Sequence, residues 1–143
     1  MPIFGSDGFR CEFGTSFLTY ESITQFANSL GDYYIFKGFS RPLLISKDTR
    51  QSGQIIEGIL VNILNLKGIN TCSTGVIPTP GLSKILETEN YALGCMITAS
   101  HNPHYDNGIK LLQNDGFKID IDAQEYIEKL MTSQQSKNIS CSK

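Results

Sequence analysis

The chain has 143 residues, 40% apolar and 18% charged, with a formal net charge of −2, which suits one globular domain and excludes disordered or collagen-like classes. At this length a single core is feasible, burying roughly 68 to 70% of the unfolded surface. Lysine and arginine form no run or basic helix face and no stretch reaches the roughly 18 apolar residues of a membrane span, so no nucleic-acid or membrane partner is expected and a reducing cytoplasm is the default location.

The opening to Gly14 reads as irregular. Thr19 can cap a helix in which Ile23, Phe26, Ala27, Leu30 and Tyr34 recur at helical spacing, stopping near Gly38. Residues 42–46 form a short apolar run read as a buried strand, and Ile55, Ile56, Ile59, Leu60, Ile63 and Leu64 then mark a second helix ended by Gly68. A strand over 69–74, a rigid loop over 75–80, a short helix over 82–86 and a buried strand over 92–98 follow. Residues 108–113 read as a further strand, and Asn114-Asp115-Gly116 predicts a turn into an antiparallel partner over 117–119. The last helix is expected to start with Asp122 as N-cap, Glu125 completing a capping box and Ile121 stapled to Tyr126, and to end near Met131. Residues 1–131 thus read as the domain, and the polar stretch 132–143 as a frayed tail or the start of an interdomain linker. Alternating strands and helices with one hairpin predict an α/β fold with a mixed sheet.

The chemistry concentrates in the loop Thr98-Ala99-Ser100-His101-Asn102-Pro103-His104-Tyr105-Asp106-Asn107-Gly108-Ile109-Lys110, between two apolar strands. Phosphoryl transfer asks for an acceptor hydroxyl, hydrogen-bond donors and a cation, since the protein mainly positions groups and neutralises charge. Ser100, Asn102 and Lys110 supply that set; the competing reading is that Asn, Asp and Gly merely build turns. His101 and His104 lack further ligands at zinc spacing, and no Gly-x-Ser-x-Gly elbow supports a hydrolase triad. The four cysteines, Cys11, Cys72, Cys95 and Cys141, show no Cys-x-x-Cys pair, and Cys72 and Cys95 are expected as free buried thiols in strand-like segments.

Thr-Ala-Ser-His-Asn-Pro followed by Tyr-Asp-Asn-Gly-Ile-Lys closely resembles the active-site loop of the α-D-phosphohexomutase family. The opening Phe4-Gly5-Ser6-Asp7-Gly8-Phe9-Arg10, the loop Lys47-Asp48-Thr49-Arg50-Gln51-Ser52-Gly53 and the loop Gly75-Val76-Ile77-Pro78-Thr79-Pro80 are similar to that family's first domain. Within the family the wording is nearest to phosphoglucosamine mutases, ahead of phosphomannomutases and phosphoglucomutases. The resemblance implies a three-layer α/β/α sandwich with a mixed, mostly parallel sheet. It also implies a phosphoserine at Ser100 that exchanges its phosphoryl group with the 1- and 6-positions of a hexose or hexosamine phosphate through a sugar 1,6-bisphosphate, which also serves as activator.

By the same resemblance Lys110 moves a proton of the reacting sugar hydroxyl, a role requiring an ammonium pKa lowered by burial or cations, and Arg10 faces the phosphoserine pocket as a fixed fork for phosphate oxygens. His101 joins the catalytic group as a positioning residue, its side chain expected to point away from Ser100. Asn102, Arg50 and Ser52 are implied to bind substrate or phosphate; for Arg50 the alternative that it pairs with Asp48 to fix its loop stands beside that reading, and Asp7 is assigned no chemistry. Mg²⁺ is implied through the phosphate on Ser100, with its other ligands in an absent domain.

Two departures bear on these implications. Cys11 stands where the family has Gly after the arginine, which removes glycine's freedom at positive φ beside Arg10. The Asp-Gly-Asp-x-Asp-Arg metal loop, like the sugar-reading and phosphate-binding loops of the family's later domains, is missing from the 143 residues. The expectation is therefore a first domain, inactive alone, whose partners are a sugar phosphate and the remaining domains of a parent enzyme; the alternative is a stand-alone phosphosugar- or partner-binding module.

Overall fold

The structure is a computed structural model; it describes the backbone at Phe4 and over residues 8–140, with side chains described to Gln134. Five strands and four α-helices follow the order β1 (Phe9–Glu12), α1 (Tyr20–Phe36), β2 (Leu43–Lys47), α2 (Ser52–Leu66), β3 (Thr71–Val76), α3 (Thr79–Thr88), β4 (Leu93–Ile97), β5 (Asp106–Gln113) and α4 (Ile121–Ser140). A single 3-10 turn, Ser16–Leu18, precedes α1.

The strands form one sheet in the order β1-β5-β4-β2-β3. β2 pairs in parallel with β3 and β4, while β5 runs antiparallel to both β4 and β1; the mixed sheet expected from the sequence is present.

Side-chain alternation along the strands builds two unequal layers. Leu43 and Ile45 of β2, Leu93, Cys95 and Ile97 of β4, and Ile109 and Leu111 of β5 join the main core. The helices cover them with Ile23, Phe26 and Leu30 of α1, Ile56, Leu60 and Leu64 of α2, and Ile127 and Met131 of α4. The opposite face carries a smaller cluster in which Leu82 and Leu86 of α3 cover Leu44, Met96 and Leu112. Three helices on one face and one on the other make the α/β/α sandwich.

Several details differ from the sequence reading. β1 lies in the segment read as irregular: Phe9-Arg10-Cys11-Glu12 is too short for a clear period, and its partner is β5, about a hundred residues away. Cys11 is an ordinary strand residue opposite Asn107, and Ser16 and Ser100 alone among the described non-glycine residues have positive φ, so glycine's freedom is not needed there. The turn at 114–116 forms, but its return arm makes one bridge, Leu112↔Lys118. β1 already pairs with residues 106–109, leaving only the end of β5 for that arm.

α4 begins two residues earlier than expected: Asp120 Oδ1 accepts the Ala123 N–H at 2.8 Å, making Asp120 the cap in place of Asp122. The Ile121–Tyr126 staple is absent, because Ile121 is exposed while Tyr126 stacks on Phe36 with centroids 4.7 Å apart. The helix also passes Met131 and reaches Ser140; Gln134 donates to Ser29 Oγ at 3.0 Å, tying the polar extension to α1. Cys95 is buried and free, and burial, with the charge of Glu57 beside it, pushes its thiol up to about 12. Cys72, expected as buried, is exposed, since β3 is an edge strand with few apolar neighbours. Asp7, Ser6 and Cys141 lie outside the described residues.

Candidate active site

β2 and β4 are parallel neighbours whose chains leave in opposite directions, β2 toward β3 and β4 toward β5. Such a divergence opens a crevice at the carboxyl ends of the strands, the place where α/β sheets bind ligands. The loops over 48–51 and 98–105 occupy that edge.

Ser100 sits at the exposed tip of the second loop with φ +56°, the left-handed region that costs a non-glycine residue energy. Its N–H donates to Thr98 Oγ1 at 2.9 Å and its carbonyl accepts from Arg50 Nη2 at 2.6 Å. The side chain of His101 turns back toward Ser100, correcting the expected orientation: Nδ1 lies 3.1 Å from Ser100 Oγ. With the ring proton on Nε2, Nδ1 accepts from that hydroxyl; the left-handed backbone lets two consecutive side chains approach each other.

Arg50 is buried in its own surroundings, its side chain 9% exposed. Nε donates to Asp48 Oδ2 at 3.0 Å, and Nη1 reaches the carbonyls of Asn102 at 3.2 Å, Pro103 at 2.6 Å and Asp106 at 3.2 Å. Its fork is engaged by the protein itself, in agreement with the loop-fixing alternative of the sequence reading. Asn102 donates from Nδ2 to Asp106 Oδ2 at 3.2 Å. Ser52 Oγ accepts from the buried Asn107 Nδ2 at 2.8 Å, while Asn107 Oδ1 takes the Gly108 N–H at 2.9 Å. Asn102, Arg50 and Ser52 are thus brought together as the framework of the loop.

Arg10 and Lys110 lie elsewhere around the same loop. Arg10 pairs with Gly108 across β1 and β5, and Lys110 is two residues further on, so both project from the sheet face opposite the main core, with diagonal neighbours about 7 to 8 Å apart in such ladders. Gly108 is required here: a Cβ at that position would meet Phe9 O at 2.2 Å and Arg10 Cγ at 3.0 Å. Lys110 is half-buried beside Met96 on β4, and its side chain makes no ion pair or hydrogen bond with a described residue. An open cavity of about 930 Å³ adjoins the loop, lined by Ser100, Asn102, Asp48, Arg50, Phe13 and Tyr105 among others, but not by Arg10, Lys110 or His101. Arg10 and Lys110 thus lie on the sheet face, whereas the cavity lies against the framework of the loop.

The sequence reading named Asp48 only as a loop-fixing partner of Arg50, and gave no role to Thr98 or Asn107. Asp48 and Thr98 are residues of ordinary turn-forming type, and nothing in their spacing signals that they meet across fifty positions at 2.6 Å.

The family model described as phosphoglucomutase/phosphomannomutase, alpha/beta/alpha domain I, matches residues 1–138. The chain belongs to this family. It is 41% identical over 133 residues to a phosphoglucosamine mutase of Campylobacter hominis, covering 93% of the chain and 30% of that relative. It is 37% identical over 139 residues to the phosphoglucosamine mutase of Bartonella tribocorum, covering 97% and 31%. Among solved structures, one assigned as a phosphomannomutase from Thermus thermophilus superimposes with a TM-score of 0.82 at 28% identity, over 91% of the chain and 30% of that protein. The Paramecium parafusin structure, at 21% identity and a TM-score of 0.77, shares the fold. The chain spans about 30% of the length of the relatives it matches, and it is a phosphohexomutase domain I. No described helix is long and apolar enough to cross a membrane.

Proposed function

We propose that the chain is the phosphoserine-bearing first domain of a sugar-phosphate mutase, with hexosamine phosphate favoured over hexose phosphate by the names of its relatives. The observation that carries this reading is the exposed hydroxyl of Ser100, held in a strained left-handed backbone at the carboxyl end of β4. In the forward half-reaction a sugar hydroxyl attacks the phosphorus; the bond to Ser100 Oγ breaks, one to the sugar oxygen forms, and Lys110 handles the hydroxyl proton. The sugar bisphosphate then reorients and returns its other phosphoryl group to Ser100, so phosphate moves between positions without net loss. Arg10 holds phosphoryl oxygens during both transfers, and His101 orients the Ser100 hydroxyl.

Among the described residues no group of three His, Cys, Asp or Glu is placed to hold a metal ion. The exposed Ser100 fits the part expected of this chain, a single phosphate oxygen offered to Mg²⁺ whose other ligands come from elsewhere. When bound, the ion supplies charge neutralisation at the phosphoryl group.

The test has two parts. The 143-residue chain alone should show no mutase turnover on hexose or hexosamine phosphates. In a full-length enzyme carrying this domain, Ser100→Ala should remove nearly all turnover, and mass spectrometry after incubation with glucosamine 1,6-bisphosphate should place the phosphoryl group on Ser100. Normal turnover by Ser100→Ala would refute the assignment.

A further inference from the structure

We propose that Asp48 is the hub of a positioning device that locks the backbone of Ser100, and that Arg50 and Thr98 are its two arms. The carboxylate accepts three bonds: Oδ1 takes the Arg50 N–H at 3.1 Å, and Oδ2 takes Arg50 Nε at 3.0 Å and the Thr98 hydroxyl at 2.6 Å. Because the Thr98 proton is committed to Asp48, the hydroxyl lone pair is presented to the Ser100 N–H, 2.9 Å away. Because Nε is committed to Asp48, the Arg50 fork is turned so that Nη2 meets the Ser100 carbonyl at 2.6 Å. The N–H and the C=O of one residue are thus gripped by two side chains that answer to the same carboxylate.

The grip explains the backbone. A serine at φ +56° is held against its own preference, and such conformations persist where their surroundings over-determine them. Arg50 also binds the carbonyls of Asn102, Pro103 and Asp106, so one guanidinium fixes the loop on both sides of its tip. A lysine cannot substitute, because a single ammonium lacks the planar fork. Asparagine at position 48 would set its amide N–H groups either at the Oδ2 position, against both the Thr98 hydroxyl and Arg50 Nε, or at the Oδ1 position, against the Arg50 N–H. Aimed in this way, the Ser100 hydroxyl meets its reaction partner without first ordering the loop.

The purpose of the device rests on Ser100 being the phosphoryl carrier; its existence does not, and the test separates the two. In the 143-residue chain, the Ser100 Cα and Cβ chemical shifts and the exchange rate of its amide report the loop directly. Thr98→Val and Arg50→Lys should each move those shifts out of the left-handed range and speed Ser100 amide exchange at least about tenfold, while β2 and β4 amides remain protected. Thr98→Ser, which keeps the hydroxyl, should restore the native shifts. Should Arg50→Lys lower protection throughout the sheet, Thr98→Val against Thr98→Ser decides. Native shifts and native exchange at Ser100 in Thr98→Val overturn the proposal. Exposure of the unaltered full-length enzyme to glucosamine 1,6-bisphosphate is the separate arm: absence of phosphate on Ser100 there counts against the carrier reading and leaves the spectroscopic result for the device in place.

Discussion

Two loops meet at the carboxyl edge of the sheet, and they use similar residues in opposite ways. The loop after β2 turns its charges inward: Asp48 and Arg50 bond each other and the backbone of the neighbouring loop. The loop after β4 turns Ser100 and His101 outward, with both exposed. Residue type alone does not separate the two, since an arginine flanked by polar residues suits a phosphate site as well as a clamp. What separates them is burial and the number of internal partners. A guanidinium with carbonyls already on its donors adds order to a loop, whereas the half-buried Lys110 ammonium has no ion-pair or hydrogen-bond partner among the described residues.

The largest expected effect tests the outward set. In a full-length enzyme Lys110→Ala should slow turnover by about 10²- to 10⁴-fold, the usual worth of a positioned acid or base, with Ser100 still able to carry phosphate. In the isolated chain the same substitution should shift urea stability by less than about 0.5 kcal/mol, because no described group depends on that ammonium. Arg50→Ala should behave in reverse: several backbone carbonyls and Asp48 lose their donor, and urea denaturation of the chain should show a loss of about 3 kcal/mol. Equal stability costs for the two substitutions would erase the distinction between the engaged Arg50 and the unengaged Lys110.

Legibility in the sequence followed the range of the interactions. α1, α2 and the central strands were readable because their apolar period is local, and Thr19, which takes the Ser22 N–H at 3.1 Å, was readable as a cap for the same reason. The start of α4 was misplaced because Asp120 and Asp122 are equally good caps in sequence; burial of Ala123 and Ile127 sets the helix phase and makes Asp120 the one whose carboxylate meets a free N–H. β1 was missed because four residues paired with a distant strand carry no period of their own. Ser100, Lys110 and Arg10 stood out through the family's wording. The Asp48–Arg50 pair, two positions apart, could be named from the sequence, whereas its arms to Thr98 and Ser100 could not, since those contacts span about fifty positions and exist only once β2 and β4 lie side by side.

The smallest effect asks whether the β4 loop is strained as the contrast requires. At φ +56° a side chain costs about 1 to 2 kcal/mol that glycine does not incur, partly offset by glycine's greater freedom in the unfolded chain, roughly 0.4 to 1 kcal/mol. Ser100→Gly should therefore stabilise the isolated chain by about 1 kcal/mol or slightly less relative to Ser100→Ala, read by urea denaturation with unchanged m-values. Neither variant retains the hydroxyl, so the comparison isolates the backbone from the chemistry. If the glycine variant is no more stable than the alanine variant, Ser100 is not held against its preference, and the grip of Thr98 and Arg50 records an already comfortable loop. If it is more stable, the native serine is kept at a cost to folding, as expected where a hydroxyl is needed at a backbone position that glycine would fill better.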